Sequence, residues 1–581
     1  MYRRLSCALA AAALLAPPVL ASPKAEFDAL LAEHWRWVLE SNPVFATSVG
    51  VRDFDGRLND LSVAAMDRNA RQAEAFARRL AAIDTNALEG QDRISADILA
   101  RLLARQVEAN GFPARLRLFT NREGWHTAFA TLPERSPFFT RADYESYVAR
   151  LEAFPAHADE AIATTRLAAA SGWALPCIVL KNFAPTVRAV AAPVPESRFW
   201  KPFVQRPQTI TEADWARLSA RARTAIEKGV NPGYLRFADA FERDYLPACR
   251  KEVGISAAPG GRDYYQWAVR EQTTTDMTPD EIHELGLREV ARIRAEMEAV
   301  AKRAGFPSRE AYIAHLRTDP RYYAKTPQEL MAAASFWAKI ADGWMPRLFG
   351  RLPRLPYTLQ QIPAETAPYT TTAYYQPGSA ATGRAGVYFV NTSKLDERPL
   401  FELPALTIHE AVPGHHHQIA LAQELDLPPF RRHTAVFTAF IEGWGLYSER
   451  LGIEMGVYAA PENDMGRLSY EMWRANRLVV DTGMHWKGWS KEQAVAFMLE
   501  NTALSAANID AEVNRYIAWP AQALAYKMGE LRIRALREEA EQALGPRFDL
   551  RAFHDTLLEN GAVPLDILES QVRAWIARER A

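Results

Sequence analysis

The sequence predicts a mainly α-helical fold with one small β-sheet placed just before the helix that carries the chemistry. Most of the 581 residues follow helical periodicity, and helix-start patterns recur at residues 278–281, 326–329 and 490–493. Segments rich in β-branched and aromatic residues are confined to residues 355–392. With 581 residues, of which 48% are hydrophobic, the chain is large enough to bury one large core or two packed subdomains.

The first 21 residues have the pattern of a secretory signal peptide. Arg3 and Arg4 precede an apolar run at residues 8–15, and small residues at 19–21 predict cleavage after Ala21. A short N-terminal anchor helix is the alternative, although the apolar run is shorter than the roughly 20 residues that span a bilayer. No later stretch is long and apolar enough for a span. We therefore expect an exported protein, periplasmic or secreted.

Charge and cysteine content limit the possible partners. The formal net charge is −1, and removal of the two arginines of the signal leaves −3, which argues against a nucleic-acid partner. Cys7 lies in the signal, so Cys177 and Cys249 remain in the mature chain. They could pair in an oxidising compartment or stay as two separate buried thiols.

Residues 22–260 are expected to form an N-terminal helical region. Helical patterns occupy residues 27–40, 64–83, 94–108, 144–171 and 211–228, separated by loops with proline and glycine. None of these segments carries a recognisable group of chemical residues.

A boundary is predicted near residues 257–261, so residues 261–581 would form the catalytic region. This region begins with an amphipathic helix from about residue 278 to 305. Three short strands are then predicted, at residues 357–362, 371–375 and 386–391.

The segment after these strands, residues 406–418, reads LTIHEAVPGHHHQ and is the most informative stretch of the chain. A zinc hydrolase needs imidazoles to hold the metal and a carboxylate to take a proton from metal-bound water, and His409 and Glu410 are such a pair. In the common HExxH motif the second histidine stands at +4, but here His415 and His416 stand at +6 and +7. On a regular helix +4 separates two side chains by about 6 Å and +7 by about 10.5 Å.

Pro413 resolves this mismatch of spacing. A proline at that position clashes with the carbonyl of His409 and has no N–H to donate, so we expect a bulge or break near Pro413 and Gly414. If the two extra residues loop out, His415 recovers the place that +4 occupies. His416 is the alternative ligand, or else a residue that supports the metal ligands without binding the ion.

The third ligand is expected on a second helix, 33 residues beyond His409. Glu442 and Glu449 lie on one face of that helix, and Gly443 and Gly445 permit close helix approach. We predict Glu442 as the ligand and Glu449 as the group that orients an imidazole. The alternative is that both acids lie on a solvated surface.

Three segments, residues 409–418, 442–447 and 520–529, resemble a large bacterial family of often exported proteins grouped with the gluzincin-type zinc metallopeptidases. The family pattern reads HEAxPGHHxQ, EGWxLYxE and PGQAxxYKxG, and Ala521 replaces its usual glycine, which we expect to be a small packing change. The resemblance covers about the C-terminal half. It implies a mostly helical, two-lobed fold with a deep cleft, similar to angiotensin-converting enzyme, neurolysin and dipeptidyl-peptidase III. It also supports His415 as the second ligand.

Stabilisation of the tetrahedral oxyanion requires a hydrogen-bond donor. His485 is a candidate, with Asp481 four residues earlier to orient it. Tyr526 resembles the tyrosine with this role in related clefts, and Lys527 beside it is a further candidate for contact with substrate. A structural role in the core is the alternative for such residues.

Substrate contacts are expected from arginines and from the strand before the motif. Arg384, Arg477 and Arg515 could bind a substrate carboxylate through two hydrogen bonds, favouring carboxypeptidase or dipeptidase activity, or could form ordinary salt bridges. The strand at residues 386–391 could be an edge strand that pairs with an extended peptide, with Tyr388 and Asn391 facing the cleft. It could equally be a supporting strand.

The sequence thus predicts a metallopeptidase that uses one Zn²⁺ ion and hydrolyses short peptides, with Glu410 as general base on zinc-bound water. Two alternatives remain open. One is a binding protein of the same fold without turnover, and the other is a zinc hydrolase of non-peptide amides or esters.

Overall fold

A computed structural model describes residues 22–364 and 366–581. The predicted signal peptide, its cleavage site and Cys7 lie outside the described residues. The protein is mainly α-helical with one small three-stranded sheet, so the predicted fold class is confirmed.

The N-terminal region contains ten α-helices within the described residues, and several of them are joined by single 3₁₀ turns. They are α1 (Pro23–Ser41), α2 (Pro43–Ser48), α3 (Val63–Ala82), α4 (Gly90–Asn110), α5 (Trp125–Ala130), α6 (Leu132–Arg135), α7 (Arg141–Ala170), α8 (Phe183–Ala189), α9 (Glu212–Ala225) and α10 (Asn231–Ala240). The five longer helices among them coincide with the five predicted segments. The helix that starts at Glu212 continues beyond Ala225 as a π-turn, Ile226–Val230.

The C-terminal region contains the remaining described helices and all three strands. They are α11 (Gly261–Thr273), α12 (Pro279–Arg303), α13 (Arg309–Thr318), α14 (Pro327–Leu348), β1 (Tyr357–Gln361), β2 (Ala373–Gln376), β3 (Gly386–Val390), α15 (Leu403–Glu410), α16 (His415–Glu424), α17 (Pro429–His433), α18 (Thr438–Leu451), α19 (Pro461–His485), α20 (Lys491–Asn501), α21 (Ala506–Ala518), α22 (Ala525–Leu544), α23 (Leu550–Leu558) and α24 (Leu565–Arg580).

Helix starts follow the capping signals in the sequence. Thr278 and Glu281 form a reciprocal capping box at the start of α12, and Ser490 and Gln493 form another at α20. Thr326 accepts a hydrogen bond from the Glu329 amide at the start of α14. These side chains satisfy amide groups that the first turn of a helix leaves unpaired, which explains why the three starts were predictable.

The sheet has the order β1-β3-β2, with β3 parallel to β1 and antiparallel to β2. All three strands fall within one or two residues of their predicted positions. Of the two alternatives for residues 386–391, the supporting strand is confirmed and the edge strand is wrong, because β3 is hydrogen-bonded on both sides and has no free edge for a peptide.

Two pairs of helices pack closely, α12 against α19 and α18 against α22. At the second crossing a Cβ on Gly443 would lie 2.5 Å from the Cα of Gly529, so neither position has room for a side chain. Buried residues from both predicted regions, from Phe27 to Ile576, belong to one contiguous hydrophobic cluster. The predicted boundary near residues 257–261 therefore crosses a shared core.

Cys177 and Cys249 form a disulfide, which decides between the two alternatives left open by the sequence. Their Cα atoms are 5.0 Å apart, and 72 residues of chain separate them. The described helices include none long and apolar enough to cross a membrane.

Replacing both cysteines with alanine should lower the free energy of unfolding by about 2–4 kcal/mol, because the cross-link closes a long loop. Chemical denaturation of the oxidised protein and of the Cys177→Ala/Cys249→Ala variant measures this. A reductant should move the native protein to the midpoint of the variant and leave the variant unchanged. If the reductant left the denaturation midpoint of the native protein unchanged, the disulfide would be contradicted.

Candidate metal centre

The zinc-motif segment is split into two helices by a short break. Helix α15 ends at Glu410 and α16 begins at His415. Within the break the Gly414 amide donates to the Ile408 carbonyl at 3.0 Å, and the Trp444 indole donates to the Pro413 carbonyl at 2.8 Å. The break predicted near Pro413 and Gly414 is confirmed.

Gly414 is required by the close approach of the backbone at this break. A Cβ atom at this position would lie 1.9 Å from the carbonyl oxygen of His409. Any other residue would therefore force the two helices of the motif apart, and His415 would move with them.

The break brings His409, His415 and Glu442 together. One ligand atom from each lies within 4.8 Å of the other two. The Glu442 Oε2 atom is 3.6 Å from His409 Nε2 and 3.2 Å from His415 Nε2. Bonds of about 2.0–2.2 Å from one zinc ion to tetrahedral ligands separate the ligand atoms by about 3.3–3.6 Å. The two separations from Glu442 are close to this range, and the three side chains form a candidate site for one such ion.

The charge state of Glu442 suits this arrangement. Burial raises the pKa of its carboxyl, but the imidazoles of His415 and His409 outweigh burial and hold the pKa well below the ordinary value. Its Oε2 atom is buried and faces the Nε2 atoms of the two imidazoles. A buried carboxylate oxygen beside two imidazole nitrogens is a group that a cation would satisfy.

The ring nitrogen of His409 that faces away from Glu442 is bound by Glu449, which in turn binds Arg474. The Nδ1 atom of His409 is 2.8 Å from Glu449 Oε1, and the same oxygen is 2.8 Å from the Arg474 guanidinium. Burial lowers the pKa of His409, but hydrogen bonds to Glu442 and Glu449 outweigh burial and raise it to about 9. Glu449 thus lies where a carboxylate that orients an imidazole was expected. Arg474 was not predicted, and an arginine inside a long helix gives no sequence signal of such a contact.

Glu410 follows His409 directly and is buried beside the same group. Burial raises the pKa of its carboxyl, while the imidazoles of His409 and His415 act in the opposite direction.

Gly445 of α18 leaves the space that the His409 imidazole occupies, since a Cβ at position 445 would lie 2.7 Å from His409 Cε1. The backbone of α18 therefore packs directly against the imidazole.

Tyr526 lies next to the three side chains, as its predicted role requires. Its ring is 6.4 Å from the ring of His409, and the two planes are only 14° apart. The residue is partly exposed. Burial raises the pKa of Tyr526, so the hydroxyl keeps its proton at neutral pH and can donate a hydrogen bond.

The predicted pair Asp481 and His485 has a structural role instead. His485 is fully buried, with Nδ1 accepting from the Ile255 amide at 3.0 Å and Nε2 donating to the Tyr516 carbonyl at 2.9 Å. Asp481 accepts from the Tyr265 hydroxyl at 2.6 Å. The prediction that His485 donates to an oxyanion is wrong, because both ring nitrogens are already bonded to the backbone.

His416 is also absent from the cluster, both as the alternative ligand and as a supporting group. Its Nδ1 pairs with the Tyr375 hydroxyl at 2.9 Å, and its Nε2 pairs with the Leu355 carbonyl at 3.0 Å. It therefore joins α16 to the sheet. One helical residue beyond His415 is enough to turn the imidazole to another face.

Three predicted substrate contacts lie elsewhere. Tyr388 is fully buried, with its hydroxyl 3.4 Å from the Thr407 hydroxyl. Asn391 is fully buried and its amide donates to three backbone carbonyls within 3.0 Å. Arg384 donates to the Glu134 and Pro377 carbonyls and lines a separate cavity of about 1010 Å³, which none of the three clustered side chains lines.

Lys527 is another incorrect prediction. It is fully buried, and its ammonium group lies 3.1 Å from Glu289, 2.9 Å from Glu471 and 2.9 Å from Glu530. A lysine shared by three carboxylates in the interior is not available to a substrate. The residue joins α22 to α12 and α19.

Arg477 and Arg515 do lie beside Tyr526, as members of an ionic group around Glu512. Arg477 contacts Glu512 Oε2 at 2.9 Å, and Arg515 contacts the same oxygen at 2.9 Å. The guanidinium carbon of Arg477 is 4.1 Å from the centre of the Tyr526 ring.

Ala521 departs from the expectation of a small packing change. Its φ angle is +69°, in the left-handed region, and it is fully buried. Glycine adopts this conformation without strain, which explains why the resembling pattern has glycine there. The substitution changes backbone strain as well as packing.

Comparisons with known proteins give a family and a fold without an activity. The sequence model of a family described as bacterial protein of unknown function (DUF885) matches residues 43–572. This match extends far into the N-terminal region, where the motif resemblance did not reach. No curated protein matches the chain.

Two solved structures have the same fold over nearly the whole chain. A protein from Colwellia psychrerythraea described as a "putative lipoprotein" is 28% identical, with a TM-score of 0.88, and the alignment covers 96% of this chain and 100% of that one. A protein from Shewanella oneidensis, described as a "putative lipoprotein of unknown function", is 18% identical, with a TM-score of 0.66 and coverage of 95% and 99%. The second likeness shows the fold alone.

A Gly414→Ala variant should lose at least about 2–3 kcal/mol of folding stability and bind added zinc more weakly, because the new Cβ would overlap the His409 carbonyl. Denaturation and zinc titration measure the two effects. Gly343→Ala is a matched control, since Gly343 is exposed within α14 and a Cβ there meets nothing. The control should gain up to about 1 kcal/mol. Equal behaviour of the two variants would contradict the constraint at Gly414.

Proposed function

This chain belongs to the bacterial family of unknown function DUF885, and we propose that it is a zinc-dependent metallopeptidase. His409, His415 and Glu442 hold the metal in this proposal. Glu410 is the general base, and Tyr526 donates a hydrogen bond to the oxyanion.

The observation that carries the proposal is the convergence of two imidazoles and one carboxylate within 4.8 Å. Two histidines and one glutamate are a ligand set of catalytic zinc sites, in which a fourth position stays open. Glu449 supports the set because it bonds the second nitrogen of His409 and so fixes the direction in which Nε2 points. Zinc bound there would supply Lewis-acid chemistry, activating water and polarising the carbonyl of the substrate.

Glu410 takes up the proton that the attacking water loses. The carboxyl is buried next to His409, and burial raises its pKa, which makes it a stronger base than an exposed glutamate. The same group can then pass the proton to the leaving amine. Glu410 is the last residue of α15, directly before the break.

Tyr526 acts on the other reacting atom. As the carbonyl carbon becomes tetrahedral its oxygen gains negative charge, and a neutral phenol hydroxyl donates to it. The near-parallel stacking of Tyr526 over His409 supports this role, since the hydroxyl is carried on a ring fixed beside the metal ligands.

Export is part of the proposal. The disulfide between Cys177 and Cys249 suits an oxidising compartment, and the similar protein from Colwellia psychrerythraea is described as a "putative lipoprotein". Residues 1–21 have the pattern of a signal peptide. Short peptides in the periplasm or outside the cell are the proposed substrates.

Glu410→Gln should bind zinc as the native protein does and lose activity by about 10²–10⁴-fold, because only the base is removed. Zinc content and mass spectrometry of a cleaved peptide library measure this. His415→Ala, which removes a ligand, should lose both zinc and activity. Bound zinc without any Glu410-dependent cleavage would favour a non-catalytic binding protein. Turnover confined to non-peptide amides or esters would favour a different hydrolase.

Tyr526→Phe should lower kcat by about 100-fold or more with unchanged zinc content, because one oxyanion donor is lost and no ligand is changed. Steady-state kinetics on a cleaved peptide measure this. Tyr357→Phe is the control, since its hydroxyl contacts Asp342 at 3.0 Å, away from the metal ligands. An unchanged kcat in Tyr526→Phe would remove Tyr526 from the mechanism.

A further inference from the structure

Three arginines surround Glu512, and one of them, Arg477, also contacts the ring of Tyr526. Arg477 and Arg515 each lie 2.9 Å from Glu512, and Arg122 lies 3.9 Å from it. Glu512 is almost fully buried, and Arg515 and Arg477 hold the pKa of its carboxyl well below the ordinary value, although burial acts in the opposite direction. One carboxylate therefore faces three guanidinium groups.

Arg122 comes from the N-terminal region and was not predicted. It lies in a tight turn between α4 and α5, closed by a hydrogen bond of 2.7 Å from the Thr120 amide to the Glu123 carbonyl. The acidic neighbour Glu123 is exposed to solvent. The turn thus brings one more positive charge to a group that is otherwise built from α19 and α21.

Two of the guanidinium groups have N–H atoms without an acceptor. The Nη1 atom of Arg122 and that of Arg477 are both buried, and neither has a hydrogen-bond partner. Buried donors are satisfied in more than about 90% of cases in folded proteins. Two unsatisfied donors in one group with an excess of positive charge indicate a site for an anion.

The three arginines adjoin the proposed metal centre through a single side chain, that of Tyr526. The Arg477 guanidinium carbon lies 4.1 Å from the centre of the Tyr526 ring, and that ring lies 6.4 Å from the ring of His409. Arg122 and Arg515 keep 17% and 14% of their side chains exposed, so these two side chains extend to the protein surface, while the unpaired Nη1 atoms lie just beneath it.

We propose that the Nη1 atoms of Arg122 and Arg477 bind the C-terminal carboxylate of the peptide substrate, so that the protein releases residues from the C-terminal end. Arg515 adds positive charge, since its own guanidinium nitrogens are held by Glu512 and Gln522. This inference rests on the proposed function. Each Nη1 atom can donate to a carboxylate oxygen, and every unmodified peptide carries that group at its end. Hydrolysis adds water across the amide bond: the carbonyl carbon gains the hydroxyl and the released nitrogen gains the proton.

The test compares peptides that differ only at their C-terminal end. Acetylated pentapeptide libraries with neutral residues are prepared with a free carboxylate or a carboxamide, and a third library has a glutamate before the carboxamide. Zinc-loaded native protein is assayed for cleavage. Zinc-loaded Glu410→Gln is used to measure binding by calorimetry, so that the comparison does not need turnover.

Arg122→Gln is the informative variant because its turn is partly exposed and Arg477 is deep in the core. Arg68→Gln is the matched control, since Arg68 forms an exposed ion pair with Asp60 at 2.7 Å in the same region. Circular dichroism and zinc content check that both variants fold and keep the metal.

The free carboxylate should improve binding and kcat/KM by about 10- to 100-fold over the carboxamide, and cleavage should release one or two C-terminal residues. Arg122→Gln should reduce this ratio at least about fivefold through KM, whereas Arg68→Gln should keep it. Equal affinities for both ends, an equal effect of the side-chain carboxylate, or cleavage only at internal bonds would overturn the inference.

These outcomes are distinct from failure of the proposed function. Glu410-dependent cleavage without preference for a free C-terminus would keep the peptidase and remove the carboxylate site. If no peptide is cleaved, an Arg122-dependent preference in binding would keep the carboxylate site and remove the peptidase. Absence of both cleavage and peptide binding would remove both.

Discussion

The arrangement of the candidate metal centre depends on the close contact between Gly414 and the carbonyl of His409. An unbroken helix would place His415 on another face from His409, because six residues exceed one and a half turns. The break of four residues changes this, and Trp444 of α18 fixes it by donating to the Pro413 carbonyl. The helix that supplies Glu442 therefore also holds the backbone that presents His415.

Burial makes the surrounding charges effective. Glu449 joins His409 to Arg474, so α15, α18 and α19 meet at one set of ion pairs in the interior. Buried charges interact strongly because water does not screen them. They also rearrange little if a cation binds or a negative charge develops beside them, so little energy is spent on reorganisation. A second buried network, around Lys527, fixes α22 and with it the position of Tyr526.

Predictions from local sequence succeeded where the constraint is local. Capping boxes, the break at Pro413 and the shared face of Glu442 and Glu449 each follow from spacing along one segment. Predictions failed for residues whose partners come from distant segments. His485 is satisfied by Ile255 and Tyr516, and Lys527 by Glu289 and Glu471, none of which is near in sequence.

The sequence by itself determined the helical fold class, the position of the small sheet and the three side chains that converge, because hydrophobic period, caps and a proline act within a few residues. Only the tertiary structure decided which polar residues are already paired and which remain free to act. It also brought Arg474 to Glu449 behind the candidate metal centre and Arg122 to Glu512, since the local sequence around an arginine does not specify a partner from a distant segment.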